Sequence, residues 1–308
     1  MKLVFIVKGT SKHRKKISRT ISDIRSSKHF SEVVIWVSDY AGHTIELAKT
    51  ACVKFDYIVS VGGDGTLNEV VNGCLQAKDN DSLLTLPILG VLPQGTANDF
   101  VKTLALSGSE GELLQLIKNN HHNLVDVGKI TYSGEGSLRL SRYFINIADV
   151  GIGANIAQSV NKSNKYFGSN TAFLLAIIKT FLSYKPRPLN IKTKDGFSWQ
   201  GQALMLAIGN GRYFGSGLCI APHAKISDGV FGVTLMGRMT IMDFILRFLD
   251  LKKDKKLDHP EMNYLEADYM EIDSSATDCA VEVDGEFLGF TPLQIEILPA
   301  SISILMPR

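Results

Sequence analysis

Cysteine is scarce: Cys52, Cys74, Cys219 and Cys279 are scattered over 308 residues with no Cys-x-x-Cys pair. That spacing excludes a disulfide framework and a thiolate metal knuckle, and it predicts reduced structural thiols in a cytoplasmic protein. The seven histidines show no convergent metal spacing either. No apolar run reaches the roughly 20 residues of a membrane span, and the longest helical candidate is interrupted by Lys179. The opening Lys2-Leu3-Val4-Phe5-Ile6-Val7 is too short for a secretory h-region and reads as a first buried strand. A large net charge is missing as well: +2 with a pI near 8.2 argues against a nucleic-acid partner. The protein is expected to be cytoplasmic and soluble, or at most peripheral at the inner face of a membrane.

Acid is locally absent. Residues 1–30 carry nine Lys or Arg against the single Asp23, and between Asp149 and Asp195 there are seven bases and no acid. In the first stretch Ile17, Ile21 and Ile24 fall at helical spacing beneath Lys15, Lys16, Arg19 and Arg25, the pattern of a solvated helix. In the second, Phe167, Phe173, Leu174, Leu175, Ile177, Ile178, Phe181, Leu182 and Tyr184 lie among lysines, which fits a core helix or a surface resting on an anionic membrane.

Along residues 1–122 short apolar runs alternate with amphipathic segments: strands at 2–7 and 32–37, helices at 13–28 and 43–53, two strand-turn-helix units, and a helix at 110–118. This is the grammar of a parallel α/β sheet. After residue 122 come many short strands with Gly, Asp and Pro turns, at 124–132, 142–148, 188–193, 203–208, 230–236, 269–272, 279–284 and 293–297, interrupted by helices near 168–184 and 240–252. The predicted fold class is therefore α/β plus all-β: a parallel-sheet nucleotide-binding domain over 1–122, rejoined by 300–308, and an antiparallel β-sandwich over 123–299. The charged run Lys252-Lys253-Asp254-Lys255-Lys256 is predicted to be an exposed loop.

What is abundant is a repeated phrase. Val61-Gly62-Gly63-Asp64-Gly65-Thr66-Leu67-Asn68-Glu69 is echoed by Val91-Leu92-Pro93-Gln94-Gly95-Thr96-Ala97-Asn98-Asp99, so Gly-Thr-x-Asn-acid occurs twice, each time after an apolar strand. Such turns place backbone N–H groups at helix N-termini, where phosphate binds. Thr66-x-x-Glu69 and Thr96-x-x-Asp99 also fit capping boxes, which explains Thr and acid but not Gly-Gly-Asp-Gly. Asp64 beside phosphate-binding amides makes chemical sense when it meets a metal ion or a hydroxyl proton. Helix packing is expected from Leu67, Val70, Val71, Cys74 and Leu75, with Asn68, Glu69, Asn72 and Gln76 on the polar face.

These residues resemble the catalytic domain of the diacylglycerol kinase family, which includes bacterial soluble lipid kinases, sphingosine kinases and ceramide kinases. The similarity continues through Asn210-Gly211-Arg212-Tyr213-Phe214-Gly215, Ala221-Pro222-His223-Ala224-Lys225-Ile226-Ser227-Asp228-Gly229 and Val283-Asp284-Gly285-Glu286. The resemblance implies an ATP-dependent lipid kinase in which Gly62, Gly63, Asp64, Gly65, Thr66, Leu67, Asn68 and Thr96 contact ATP. It further implies that Asp228, with the main-chain carbonyls of Lys225 and Val230, holds Mg²⁺. Glu286 is the implied active-site acid, with Asp64 the other candidate base and Asp99 in support. The chain departs from the family at Val7-Lys8-Gly9-Thr10-Ser11-Lys12, where an Asn-Pro-x-x-Gly-like loop is usual; Thr10, Ser11 and Ser38 are the remaining candidates for ATP contact there.

On residues alone, Ser227-Asp228-Gly229 and Asp284-Gly285 also read as simple turns. The apolar slot for a lipid is sought in Phe144, Ile145, Ile147, Val150, Ile152 and the helix around Phe173 to Leu182, each of which also suits ordinary core. Expected partners are ATP, a lipid alcohol and a peripheral membrane surface, with a homodimer left open. Two rival functions stay on the table: an NAD kinase-like small-molecule kinase, which shares Gly-Gly-Asp-Gly, and a non-catalytic nucleotide or lipid sensor.

Overall fold

The computed structural model describes residues 1–9, 22, 24, 29–134, 138–162, 177–247, 249–276 and 279–307. Thr10, Ser11, most of the predicted 13–28 helix, and Phe167 and Phe173 to Leu175 of the second basic stretch lie outside the described residues. Two compact units are formed, 1–126 with 300–308, and 127–299.

The first unit is built on parallel strands β1 (Lys2–Lys8), β2 (Glu32–Ser38), β3 (Tyr57–Gly62) and β4 (Ile88–Pro93), in the order β2-β1-β3-β4. Helix α1 (His43–Cys52) precedes β3, α2 (Asp64–Asn80) follows it, and α3 (Asp99–Thr103) and α4 (Glu110–Lys118) follow β4. Strands buried on both faces read as continuous apolar runs rather than alternating ones, and Leu3 to Val7 are all buried. Leu3, Phe5, Val7, Tyr57, Val59 and Val61 pack with Leu113, Leu116 and Ile117 of α4 and with Ile24. The chain returns at its far end, where Ile304 pairs in parallel with Leu89.

Helix α2 departs from expectation: Asn68 and Asn72, assigned to a polar face, are buried, with the Asn72 amide donating to the Asn68 carbonyl and side-chain oxygen. The cause is α1, which packs so close that a Cβ on Gly73 would lie 2.5 Å from the Ile45 carbonyl oxygen. An amphipathic stripe marks one buried face and is silent about a second.

The second unit contains β5 (His122–Ser133, shared at its start with the first unit), β6 (Arg139–Phe144), β7 (Ile147–Gly151), α5 (Ile152–Lys162) and a helix α6 over 177–183. Then follow β8 (Arg187–Thr193), β9 (Ser198–Ala203), β10 (Met205–Gly209), β11 (Tyr213–Phe214), β12 (Leu218–Cys219), β13 (Phe231–Met236) and helix α7 (Ile241–Arg247). The last strands are β14 (Met262–Ala267), β15 (Tyr269–Asp273), β16 (Ala280–Val283), β17 (Glu286–Phe290) and β18 (Leu293–Leu305). An antiparallel sheet β14-β13-β10-β7-β16-β17 faces a second one containing β15, β8 and β9. Val150, Leu206, Ile208, Val233 and Val281 from the first interdigitate with Leu189, Ile191, Met270 and Ile272 from the second, a sandwich core.

The other face of the six-stranded sheet is buried too, under α5, α6 and α7, with Ile147, Met205, Ile156, Ile177 and Leu251 in contact. Helix α5 was not foreseen; Ile152 opens it rather than extending a strand. The single strand expected over 142–148 is two, broken where residues 145 and 146 turn. All four cysteines are buried and none is in a disulfide, and no helix among the described residues is long and apolar enough to cross a membrane.

Candidate functional site

In an open parallel sheet, ligands gather outside the carboxyl ends of the strands, where the strand order reverses. Here that edge carries Gly9, Ser38, Gly62-Gly63 and Pro93-Gln94. Three glycines at or beside these places, Gly9, Gly62 and Gly95, leave no room for a side chain. A Cβ on Gly9 would overlap the Ser38 carbonyl, one on Gly62 would fall within 2.2 Å of the Thr66 hydroxyl, and one on Gly95 would lie 2.5 Å from the Gly63 Cα. The two Gly-Thr turns thus touch backbone to backbone, and the Gln94 N–H donates to the Gly62 carbonyl at 2.7 Å.

The echo is not an echo in space. In the first copy Gly65, Thr66, Asn68 and Glu69 lie inside α2, whose N-cap is Gly63; in the second, Gly95 to Asn98 form a loop and α3 starts only at Asp99. Neither threonine caps its helix, because α2 begins two residues before Thr66 and α3 three after Thr96. Asn98 takes a left-handed conformation (φ 50°), and its amide clamps Gly95 at both ends, accepting from the N–H at 3.1 Å and donating to the carbonyl at 2.9 Å.

Gly63, Asp64, Gly65, Gly95 and Thr96 remain accessible, while Leu67 and Asn68 are buried in α2 and Thr66 is buried with its hydroxyl unpartnered. Ser38 is buried and accepts the Gly9 N–H at 3.2 Å, so it shapes the loop after β1. Asp64 accepts the Phe100 N–H at 3.3 Å. Burial first, and the Asp99 carboxylate second, push the Asp64 carboxyl above its ordinary value. Asp99 is itself buried and paired with the Lys102 ammonium at 2.8 Å. Asp64, Asp99 and both glycine turns are therefore brought together.

The second unit holds a different knot. The Asp284 carboxylate accepts three successive N–H groups, of Ile145, Asn146 and Ile147, at 2.9, 3.0 and 3.0 Å. Asn210 donates to the Ile145 carbonyl at 2.7 Å, and the Asn146 amide donates to the Tyr213 carbonyl at 2.9 Å. Two of the sequence motifs, around 210–213 and 283–286, thus meet on residues 145–147, and Asp284 with Gly285 (φ 48° and 85°) forms the tight turn that aims Glu286. Glu286 is paired with Arg142 at 2.6 Å. Sequence reasoning did not find Arg142, which lies 144 residues away.

Asp228 is exposed in its own turn and accepts the Val230 N–H at 3.4 Å; it shares no hydrogen bond or ion pair with Glu286 among the described residues. One carboxylate and the carbonyls of Lys225 and Val230 form an all-oxygen donor set, which fits a hard cation such as Mg²⁺. Among the described residues no group of three or more His, Cys, Asp or Glu is arranged to hold a metal ion, so a cation there would keep much of its water.

Two further acids were missed. Asp149 of β7 and Glu282 of β16 are cross-strand neighbours, wholly buried, and strand alternation puts both on the helix-covered face. The Ala154 N–H donates to Asp149 at 2.8 Å, which caps α5, yet one Asp149 oxygen and both Glu282 oxygens have no partner. Burial raises the Asp149 carboxyl to about 7 and Glu282 well above its usual range, the latter pushed further by Asp149 and Asp284. The signal was a lone acid in each apolar run, Ile147-Ala148-Asp149-Val150 and Ala280-Val281-Glu282-Val283.

Because the folded state holds the Asp149 proton more tightly than the unfolded state, this group favours folding below about pH 4 and loses that advantage as pH rises to about 7. The change is on the order of 4 kcal/mol, at 1.36 kcal/mol per pH unit. Asp149→Asn keeps an acceptor for Ala154 and should flatten the fall in melting temperature between pH 5 and 8; identical slopes for the variant and wild type would remove the assignment.

Residues 2–130 match the diacylglycerol kinase catalytic domain, and 146–306 match the YegS C-terminal NAD kinase beta sandwich-like domain. The chain belongs to the diacylglycerol kinase family. It is 27% identical to the diacylglycerol kinase of Staphylococcus saprophyticus over 306 residues, covering 98% of this chain and 95% of that one. With that of Staphylococcus aureus strain JH9 it shares 29% over 265 residues, 86% of this chain and 79% of the relative. A crystal structure of a diacylglycerol kinase from Bacillus anthracis superposes with a TM-score of 0.72 at 23% identity, covering 99% of this chain and 97% of that one. Yeast NADH kinase complexed with NADH shares the fold more distantly, with a TM-score of 0.57 at 10% identity over 100% and 84% of the two chains. The diacylglycerol kinase family is one of kinases, so the reaction class is phosphoryl transfer.

Proposed function

We propose that the protein is an ATP- and Mg²⁺-dependent lipid kinase that phosphorylates a hydroxyl of diacylglycerol or a related lipid alcohol, working as a peripheral protein at the inner membrane face. The observation that supports this most is the pair of glycine turns locked together at the carboxyl edge of the parallel sheet, in a chain whose full-length relatives are named diacylglycerol kinase.

Phosphoryl transfer asks for positioning and charge stabilisation more than covalent chemistry. The accessible Gly63, Gly65 and Thr96 present main-chain N–H groups beside the N-terminus of the 17-residue α2, where the helix dipole favours phosphate. Asp64, or Glu286 held in orientation by Arg142, takes the proton of the lipid hydroxyl, with Asp99 supporting Asp64. Asp228 with the carbonyls of Lys225 and Val230 is the proposed Mg²⁺ holder. A Mg²⁺ held there would supply positive charge against the phosphoryl oxygens.

The test is ATP consumption in mixed micelles presenting diacylglycerol, other lipid alcohols, or no acceptor, with NAD in parallel. Lipid-dependent turnover is expected. Phosphorylation of NAD without any lipid would move the protein to the small-molecule kinases, and ATP binding without turnover on any acceptor would make it a sensor.

A further inference from the structure

Helix α7 leaves an apolar face in solvent. Met242, Ile245 and Leu246 are exposed by 59, 51 and 71% and fall at i, i+3 and i+4, one side of the helix, and Leu249, two residues past its end, is exposed by 70%. Ile241, by contrast, packs inward with Phe181 of α6 on the core beneath. Leu251, in the turn after α7, lines one apolar recess with Ile177 and Phe181, so α6 and that turn cover the same part of the unit. Leu182 and Lys179 of α6 are exposed as well, as is Lys185 just after it.

The sequence around the apolar stripe is net basic. Residues 238–256 hold six bases, Arg238, Arg247, Lys252, Lys253, Lys255 and Lys256, against three acids. Those acids have local partners: Asp243 accepts from Thr240, Asp250 from Lys253 at 2.7 Å, and Asp254 from the Tyr213 hydroxyl at 2.5 Å. The stripe is thus an apolar strip in a basic frame.

We propose that the exposed face of α7, with Leu249 and Leu182, is the surface by which the protein inserts into an anionic lipid bilayer. An interfacial helix of this kind buries its apolar side at the headgroup boundary, while flanking bases meet anionic lipid. A second copy of the chain fits worse, because two-fold pairing through this face would set the basic frames against one another and a handful of side chains falls well short of a stable interface. The placement rests on the reading that the acceptor is a membrane lipid.

The experiment is co-sedimentation of the full chain with vesicles of 30% phosphatidylglycerol in phosphatidylcholine, without ATP or diacylglycerol. Its outcome is therefore independent of kinase activity. The double variant Ile245→Ser/Leu246→Ser is expected to weaken vesicle binding by about tenfold or more, since each removed side chain forfeits apolar burial. Leu83→Ser, an exposed leucine in the other unit, should bind as wild type. Thermal melts check that both variants fold. Undiminished binding by the double variant overturns the proposal, as does equal binding to pure phosphatidylcholine. A wild-type dimer in sedimentation velocity that the double variant loses would assign the face to a second copy instead.

Discussion

Asp284→Ala should lower the unfolding stability of the protein by about 4 kcal/mol, read as a shift of the urea midpoint at neutral pH. Three N–H groups donate to this one carboxylate, and a hydrogen bond to a charged group contributes about 1.5–3 kcal/mol. Alanine would leave all three without an acceptor inside the fold, apart from whatever water reaches them. It would also have to hold φ 48°, a left-handed conformation that costs a non-glycine residue about 1 kcal/mol, and one that aspartate tolerates better. Asp284→Asn keeps one acceptor oxygen and the tolerance for positive φ, so it should recover roughly half of the loss. A midpoint for Asp284→Ala within about 1 kcal/mol of wild type would show that the turn at 284–285 does not hold residues 145–147. The same substitution should release Glu286, which follows the turn directly.

Asp64→Asn should cut kcat/KM for the lipid acceptor by about a thousandfold, or about 4 kcal/mol in barrier height, while moving the melting temperature by no more than a few degrees. The amide oxygen of asparagine can still accept the Phe100 N–H, so the bridge from α2 to α3 survives. What is lost is the negative charge and the ability to take a proton. The side chain is already pushed toward the neutral form by burial and by Asp99, the environment that poises a carboxyl for proton transfer. Asp64→Ala alone would confound the two roles, since it removes the bridge with the charge. Full turnover in Asp64→Asn would confine this residue to a structural part, leaving Glu286 as the base.

Much of the fold could be read from residue order. Strand β1 is an apolar run from Leu3 to Val7, and β3 and β4 are nearly so, because both their faces are covered, and a period that is neither 2 nor 3.6 is itself the mark of a buried parallel strand. The change to short strands divided by Gly, Asp and Pro turns after residue 122 likewise marks the antiparallel sheets of the second unit. Helix α5 was hidden because its start is set by a contact, Asp149 to the Ala154 N–H, rather than by a capping pattern at Ile152. The candidate site was legible where chemistry and backbone demand the same residue, as at Gly62-Gly63-Asp64. It misled where one residue type serves two conformations: Asn68 is an interior helical residue, whereas Asn98 folds a loop on itself. Arg142 was out of reach, since no local pattern announces an arginine that waits for Glu286 from the other end of the domain.

The contact of Gly63 with Gly95 ties two segments thirty residues apart into one mechanical part. Neither turn can gain a side chain or an extra residue unless its partner retreats by the same amount. Lengthening one turn alone, to admit a larger nucleotide for instance, would pry the other off its strand; engineering of this edge has to proceed by paired changes, with both turns redrawn in a single step.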